Sequence, residues 1–215
     1  MRAPSLARGA WVAKLLHGTR ARRTPGATGG GWALPATVAD DGYHPQELLV
    51  LGRPVSSGGR DWLRVRLPRR PNDASGWIPA DAVRLRHTDR WVRVRLKART
   101  VSLYRGGRLA LRTRAVIGAG ATPTPRGLFA VLLAARQKAP RGFLGPWAIH
   151  LTAHSDVLDD YGGGQGRVAI HGRGAESLLD PLGSARSHGC VRVPNDAVSK
   201  LATALRPGTP VQITE

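Results

Sequence analysis

Cysteine, acidic residues and long apolar runs are all scarce in this 215-residue chain. Its one cysteine, Cys190, excludes an internal disulfide. A lone cysteine is either a small buried apolar side chain or a reactive thiol. Only 14 Asp and Glu stand against 33 Lys and Arg, a formal net charge of +19. That imbalance favours anionic partners: nucleic acid, an anionic polymer or a membrane surface. A chain rich in Arg, Ala, Gly and Pro carries the same excess without any partner. No compact Lys/Arg run has aromatics between its charges, so a specific nucleic-acid reader is not expected. No apolar run approaches the roughly 18 residues of a spanning helix, so no transmembrane segment is expected. The stretch Trp11-Val12-Ala13-Lys14-Leu15-Leu16 follows Arg2 and Arg8 but is short and broken by Lys14. No clear export signal is read there.

What is present is a hydrophobic fraction of 41%, enough for a core, patterned mostly for strands. Residues 1–35 read as a disordered basic leader, because Arg20 to Gly31 mixes Arg, Gly and Pro without periodicity. Residues 36–87 read as a small β-barrel. Glu47-Leu48-Leu49-Val50-Leu51 is a candidate strand, and Ser56-Ser57-Gly58-Gly59 a turn. Asp61-Trp62-Leu63-Arg64-Val65-Arg66-Leu67 has the period of two of a half-buried strand, and Gly76-Trp77-Ile78-Pro79 follows. The pattern restarts in residues 88–215 with Trp91-Val92-Arg93-Val94-Arg95-Leu96 and a hairpin over Gly106-Gly107. Leu128-Phe129-Ala130-Val131-Leu132-Leu133 fits a strand or a short helix. Asn195-Asp196 can cap a helix whose apolar face is Ala197, Val198, Leu201, Ala202 and Leu205.

The chemistry centres on Ser187-His188-Gly189-Cys190-Val191-Arg192 and, upstream, Ile170-His171-Gly172. A thiol at neutral pH is only slightly ionised and needs a base to attack a carbonyl. On a strand His188 would share a face with Cys190, while His171 can meet it only through folding. Gly172 and Gly189 allow close backbone approach and N–H donors for an oxyanion. One Cys with two His could instead be three zinc ligands, but the second Cys and the paired spacing are missing. A buried Cys beside two structural histidines is the third reading. His150 and His154 stand four apart, which on a helix could hold a metal. The nearby Asp156, Asp159, Asp160 and Gly162-Gly163-Gly164 favour a substrate-facing loop over a metal site.

These motifs resemble the L,D-transpeptidase catalytic domain, the YkuD-like family. The resemblance rests on His171-Gly172 followed by Ser187-His188-Gly189-Cys190-Val191-Arg192. Weaker family features appear in order: Val116-Ile117-Gly118, Thr122-Pro123-Thr124-Pro125-Arg126-Gly127-Leu128-Phe129, and Gly208-Thr209-Pro210-Val211. Upstream, the order of strand, turn, "DWLRV" and "GWIPADAV" resembles a bacterial SH3-like domain. The expected fold class is therefore mainly β. A small SH3-like β-barrel would precede a mixed β-sandwich catalytic domain with one or two short helices.

The resemblance implies that Cys190 attacks a peptidoglycan tetrapeptide stem and releases D-alanine. It would then pass the acyl group to an amine, making 3→3 cross-links. It implies His171 as general base, with its other nitrogen held by the Gly172 carbonyl. His188 would shape the pocket beside the sulfur, and the Gly189 and Cys190 amides would bind an oxyanion. Arg192 could hold the substrate carboxylate. Ser187 and Tyr161 are further candidates at the stem, Ser187 with a structural alternative. No metal or cofactor is implied. Stem peptides are the expected partner, an anionic wall polymer a possible second one, and the cell wall or periplasm the expected location. A carboxypeptidase using water, and a weakly active wall-binding protein, remain as alternatives.

Overall fold

In a computed structural model the chain is described at residues 1–38, 42–160 and 165–215. The first unit holds β1 (Ala10–Leu15), β2 (Thr19–Ala21), β3 (Trp32–Leu34), β4 (Glu47–Leu49), β5 (Val55–Ser57), β6 (Arg60–Arg66), β7 (Ser75–Pro79) and β8 (Val83–Thr88). They form small sheets in the orders β4-β1-β8, β5-β6-β7 and β2-β3. Alternation explains their faces: Leu63 and Val65 of β6 are fully buried while Arg64 between them is exposed.

The expected leader at residues 1–35 is corrected by this arrangement, since the unit begins before residue 36. β1 is the central strand of its sheet, paired to β4 and β8, with Val12 and Ala13 fully buried. The Arg/Gly stretch that suggested disorder is a folded hairpin. The Arg22 guanidinium donates to the Gly30 carbonyl at 2.8 Å and that of Arg20 to Gly31 at 3.2 Å. Trp32 lies near the guanidinium carbons of Arg23 and Arg69, 5.3 and 4.9 Å from its ring centroid. Composition hid these long-range partners.

The second unit contains β9 (Arg90–Arg95), β10 (Thr100–Arg105), β11 (Arg108–Arg114), β12 (Ile117–Gly118), β13 (Gly127–Arg136), β14 (Trp147–His154), β15 (Arg167–His171), β16 (Ala185–Ser187), β17 (Val191–Arg192), α1 (Asn195–Ala204) and β18 (Pro210–Thr214). Eight strands run in one sheet in the order β11-β10-β9-β18-β13-β14-β15-β17. Most neighbours are antiparallel, but β18 runs parallel to β9 and β17 parallel to β15. Helix α1 packs Ala197, Val198 and Leu201 into the core that holds Ile149, Leu151 and Ile170. Pro194, not Asn195, stands at its N-cap, and no side chain caps it. A short 3₁₀ turn, Ala175–Leu179, precedes β16.

The apolar run at β13 is a strand because both of its faces are covered. Phe129 and Val131 enter the main core of the second unit. Ala130 and Leu128 pack with Ala10, Leu49 and Leu51 of the first unit, and Leu132 packs with Val38. The two units thus share a hydrophobic contact along β13. At Gly208, where φ is +78°, an added Cβ would lie 2.3 Å from Val12, so glycine also permits this close approach.

Candidate active site

The parallel pairing of β15 with β17 creates the site. Ile170 stands opposite Val191 and His171 opposite Arg192. Just before β17, the Ala169 amide of β15 donates to Cys190 Sγ at 3.4 Å. Cys190 and His171 therefore lie on neighbouring segments and line the same cavity, of about 390 Å³. Its walls are mainly apolar, with Phe143, Leu144, Ala148, Leu158 and Val168. His150, Arg167, His188 and Arg192 bring polar groups to it.

His171 is 1% exposed, and its Nδ1 lies 2.8 Å from the Gly172 carbonyl. A carbonyl only accepts, so Nδ1 carries the hydrogen and the neutral ring keeps its lone pair on Nε2. Burial pushes the His171 pKa down to about 4, against the opposing pull of the Gly172 carbonyl; the nearby positive charge of Arg192 lowers it further. Burial likewise raises the Cys190 thiol above its ordinary range, partly offset by the Ala169 amide and Arg192. At neutral pH an uncharged thiol and an uncharged imidazole line the cavity.

Backbone support comes from two directions. Asn195 holds the His171 segment: its Oδ1 accepts from the Arg173 amide at 2.7 Å and its Nδ2 donates to the Arg173 carbonyl at 2.8 Å. A Cβ on Gly172 would lie 2.4 Å from Asn195 Oδ1, so glycine is required there. The Asn195 side chain is spent on this loop, which is why it does not cap α1. On the other side, Thr124 Oγ1 donates to the Gly189 carbonyl at 2.8 Å and accepts from the Gly118 amide at 2.9 Å. Thr122 Oγ1 donates to the Ser187 carbonyl at 3.1 Å. The Thr-Pro-Thr-Pro stretch is thus the brace of the cysteine loop.

Several expected site residues have different placements. Ser187 is 1% exposed; its hydroxyl donates to the Cys190 carbonyl and accepts from the Gly189 amide at 3.2 Å. It shapes the loop and does not line the cavity. The Gly189 amide is accordingly turned to Ser187, while φ of +114° at Gly189 accounts for glycine there. Arg192, expected as a clasp for a carboxylate, has a side chain only 4% exposed and an ion pair to Asp180. Its guanidinium carbon lies 4.8 Å from the Phe143 ring centroid, and its Nε has no hydrogen-bond partner among the described residues. His188 is exposed and lines the cavity. Tyr161 and Gly162-Gly163-Gly164 lie outside the described residues. His150 and His154 sit on a strand, not a helix. At about 3.3 Å rise per residue they are some 13 Å apart along it, too far to share one metal ion.

Sequence reasoning missed Phe143, which packs 6.1 Å from the His171 ring, and Asp180. Neither stands in a motif, so no local signal marked them.

A family model for the L,D-transpeptidase catalytic domain, YkuD, matches residues 89–213. The chain belongs to the L,D-transpeptidase family. The Bacillus licheniformis protein YkuD, named for this family, is 34% identical over 123 residues, which is 57% of this chain and 64% of that protein. The match therefore spans less than two thirds of that relative. Among solved structures, an L,D-transpeptidase from Mycobacterium tuberculosis H37Rv superposes with a TM-score of 0.51 at 17% identity, covering 95% of this chain and 98% of its own. L,D-transpeptidase 3 from Mycobacterium tuberculosis gives 0.50 at 16% identity with the same coverage. At such identities the likeness is one of fold, and it extends over both units. The Cys190 cavity lies wholly in the family-matched part of the chain.

Proposed function

We propose that the enzyme uses Cys190 as the nucleophile of an L,D-transpeptidase acting on peptidoglycan tetrapeptide stems. The carrying observation is the placement of Cys190 and His171 on neighbouring parallel segments, lining one cavity, with the histidine tautomer set by Gly172. Cys190 Sγ attacks the carbonyl carbon of the third stem residue, and its proton passes to His171 Nε2. The amide C–N bond breaks, that proton goes to the departing D-alanine amine, and the acyl group stays as a thioester. A side-chain amine of another stem then attacks the thioester and gives a proton through His171. The C–S bond breaks and the thiol is restored, leaving a 3→3 cross-link.

Both groups are neutral at rest, so sulfur attack and proton transfer occur together. With the Gly189 amide engaged by Ser187, the Cys190 amide is the remaining donor of the two for the oxyanion. Arg192, buried and paired to Asp180, supplies positive charge beside the cavity. His188 at the cavity shapes the approach to the sulfur. The first unit, with its short antiparallel strands, is read as SH3-like. The excess of arginine holds the protein near anionic wall polymer, outside the cytoplasmic membrane. No helix among the described residues is long and apolar enough to cross a membrane.

The test is intact-mass spectrometry after exposure to a carbapenem. The native protein should gain one adduct and Cys190→Ala none; an undiminished adduct in that variant removes Cys190 from the role. His171→Ala should slow adduct formation sharply while leaving the fold intact. If it does not, His188 is the better base.

A further inference from the structure

Of the described residues that join β14 to β15, Ser155, Leu158 and Gly166 form one wall of the Cys190 cavity, together with Arg167 of β15. Its two arms meet at a neck where the Ser155 amide donates to the Gly166 carbonyl at 2.7 Å. The Ser155 hydroxyl folds the outgoing arm by accepting from the Leu158 amide at 3.1 Å. What fastens this neck comes from the other unit. Arg70, in the connection between β6 and β7, reaches both arms with one guanidinium. Its Nη2 donates to the Ser155 and Leu158 carbonyls at 3.1 and 2.8 Å, and its Nη1 to the Gln165 carbonyl at 3.0 Å. Two residues on, Asn72 grips the end of β14. It accepts from the His154 amide at 2.8 Å and donates to the His154 carbonyl at 2.8 Å and to Asp156 Oδ1 at 2.7 Å. At Gly166 a side chain is excluded, because a Cβ would lie 2.0 Å from the Leu158 carbonyl oxygen and 3.0 Å from Arg70 Nη2.

We infer that Arg70 and Asn72 are positioning residues for the active site, through which the first unit sets the donor-binding wall of the Cys190 cavity. A planar, permanently charged fork is the side chain that can bridge carbonyls on two arms at once. Neither residue lines the cavity, so their effect reaches the substrate only through Ser155, Leu158, Gly166 and Arg167. The inference rests on the transpeptidase reading and predicts a separation of parameters. Loss of the fork leaves Cys190, His171 and their backbone braces in place. It loosens the wall that orients the stem.

The experiment uses the full chain with Arg70→Ala, Asn72→Ala, Arg70→Lys and, as a control, Arg60→Ala, whose ion pair to Asp81 lies in the first unit away from the cavity. Three readouts are taken: KM and kcat for a tetrapeptide donor, iodoacetamide alkylation of Cys190, and amide hydrogen exchange at Ser155. Arg70→Ala and Asn72→Ala should raise KM roughly tenfold, the size expected for lost charge-assisted or paired hydrogen bonds. They should speed exchange at Ser155 and leave alkylation unchanged. Arg70→Lys should recover part of the KM, and Arg60→Ala should match the native protein. Native KM in both alanine variants overturns the inference, as does a KM rise that Arg60→Ala reproduces. A parallel fall of kcat and alkylation overturns it too, since that is general loss of structure. If the native protein itself turns over no stem donor, the functional reading fails; exchange at Ser155 still decides the positioning claim.

Discussion

The Cys190 cavity has two kinds of wall, and they are held in different ways. The wall behind the sulfur and the imidazole is fixed from within the family-matched unit, by Thr122 and Thr124 under the cysteine loop and by Asn195 under His171. Each of these braces is a neutral side chain bonded to backbone. The wall facing the substrate, at the β14–β15 neck, is fixed from outside that unit by a guanidinium and an amide on one connection of the first unit. The reacting groups thus sit on β15 and on the braced loop that leads into β17, while substrate fit depends on how two units dock. Changes to the inner wall are expected to alter chemistry, and changes to the outer one binding.

The outer wall depends first on the core of the first unit. Ala13 is fully buried in β1, the middle strand of the sheet that anchors the first unit. Ala13→Asp buries an unpaired carboxylate and should cost more than about 4 kcal/mol, measured by denaturant unfolding. If stability is unchanged, β1 is not core and residues 1–35 behave as a leader after all. Next in size is Gly172→Ala on the inner wall. Its Cβ would meet Asn195 Oδ1 at 2.4 Å and Pro146 Cδ at 2.9 Å, so the His171 segment must shift. Acylation should fall by about 100-fold, the penalty of a misplaced base, with KM little changed. A rise in KM alone would erase the distinction between the walls.

Acid sensitivity reports on the inner wall through His171. The folded protein keeps His171 neutral down to about 4, whereas an unfolded chain takes up that proton near 6.5. Between these values the unfolded state binds more protons, so stability is present above pH 6.5 and is lost as pH falls toward 4. The loss is on the order of 3 kcal/mol. His171→Ala should flatten that part of the stability–pH curve; an unchanged slope would show that the imidazole is solvated. The Cys190 thiol, raised by burial, should be alkylated by iodoacetamide only toward alkaline pH, with no plateau near neutrality. The smallest effect is expected for Thr124→Val, which removes the bonds to Gly118 and Gly189 at a cost of about 2 kcal/mol. Alkylation of Cys190 should change in rate with it, while KM for the donor stays.

Much of the inner wall was legible in the sequence because its motifs are local. Ser187-His188-Gly189-Cys190 and His171-Gly172 are each contiguous, and the period of two marked β6 and β9 directly. Four things were not legible. The Arg/Gly hairpin at β2–β3 looked disordered because its order comes from carbonyl capture by Arg20 and Arg22 and from Trp32 between distant arginines. The run at β13 stayed ambiguous because a strand covered on both faces loses its alternation. Arg192 looked like a surface clasp because its partner Asp180 lies in a connection with no motif of its own. The outer wall is the extreme case: Asn72 and His154 are joined only by the docking of the units, and nothing in the spacing of either announces the other.

In the proposed reaction Cys190 carries the stem as a thioester while His171 moves the proton. Acid-quenched mass spectrometry of the protein mixed with a tetrapeptide donor, followed by peptide mapping, tests it most directly. The expected result is a mass gain equal to the stem less its terminal D-alanine, located on Cys190 and absent from Cys190→Ala. An acyl group on any other residue, or cross-linked product formed at the native rate by Cys190→Ala, would contradict it.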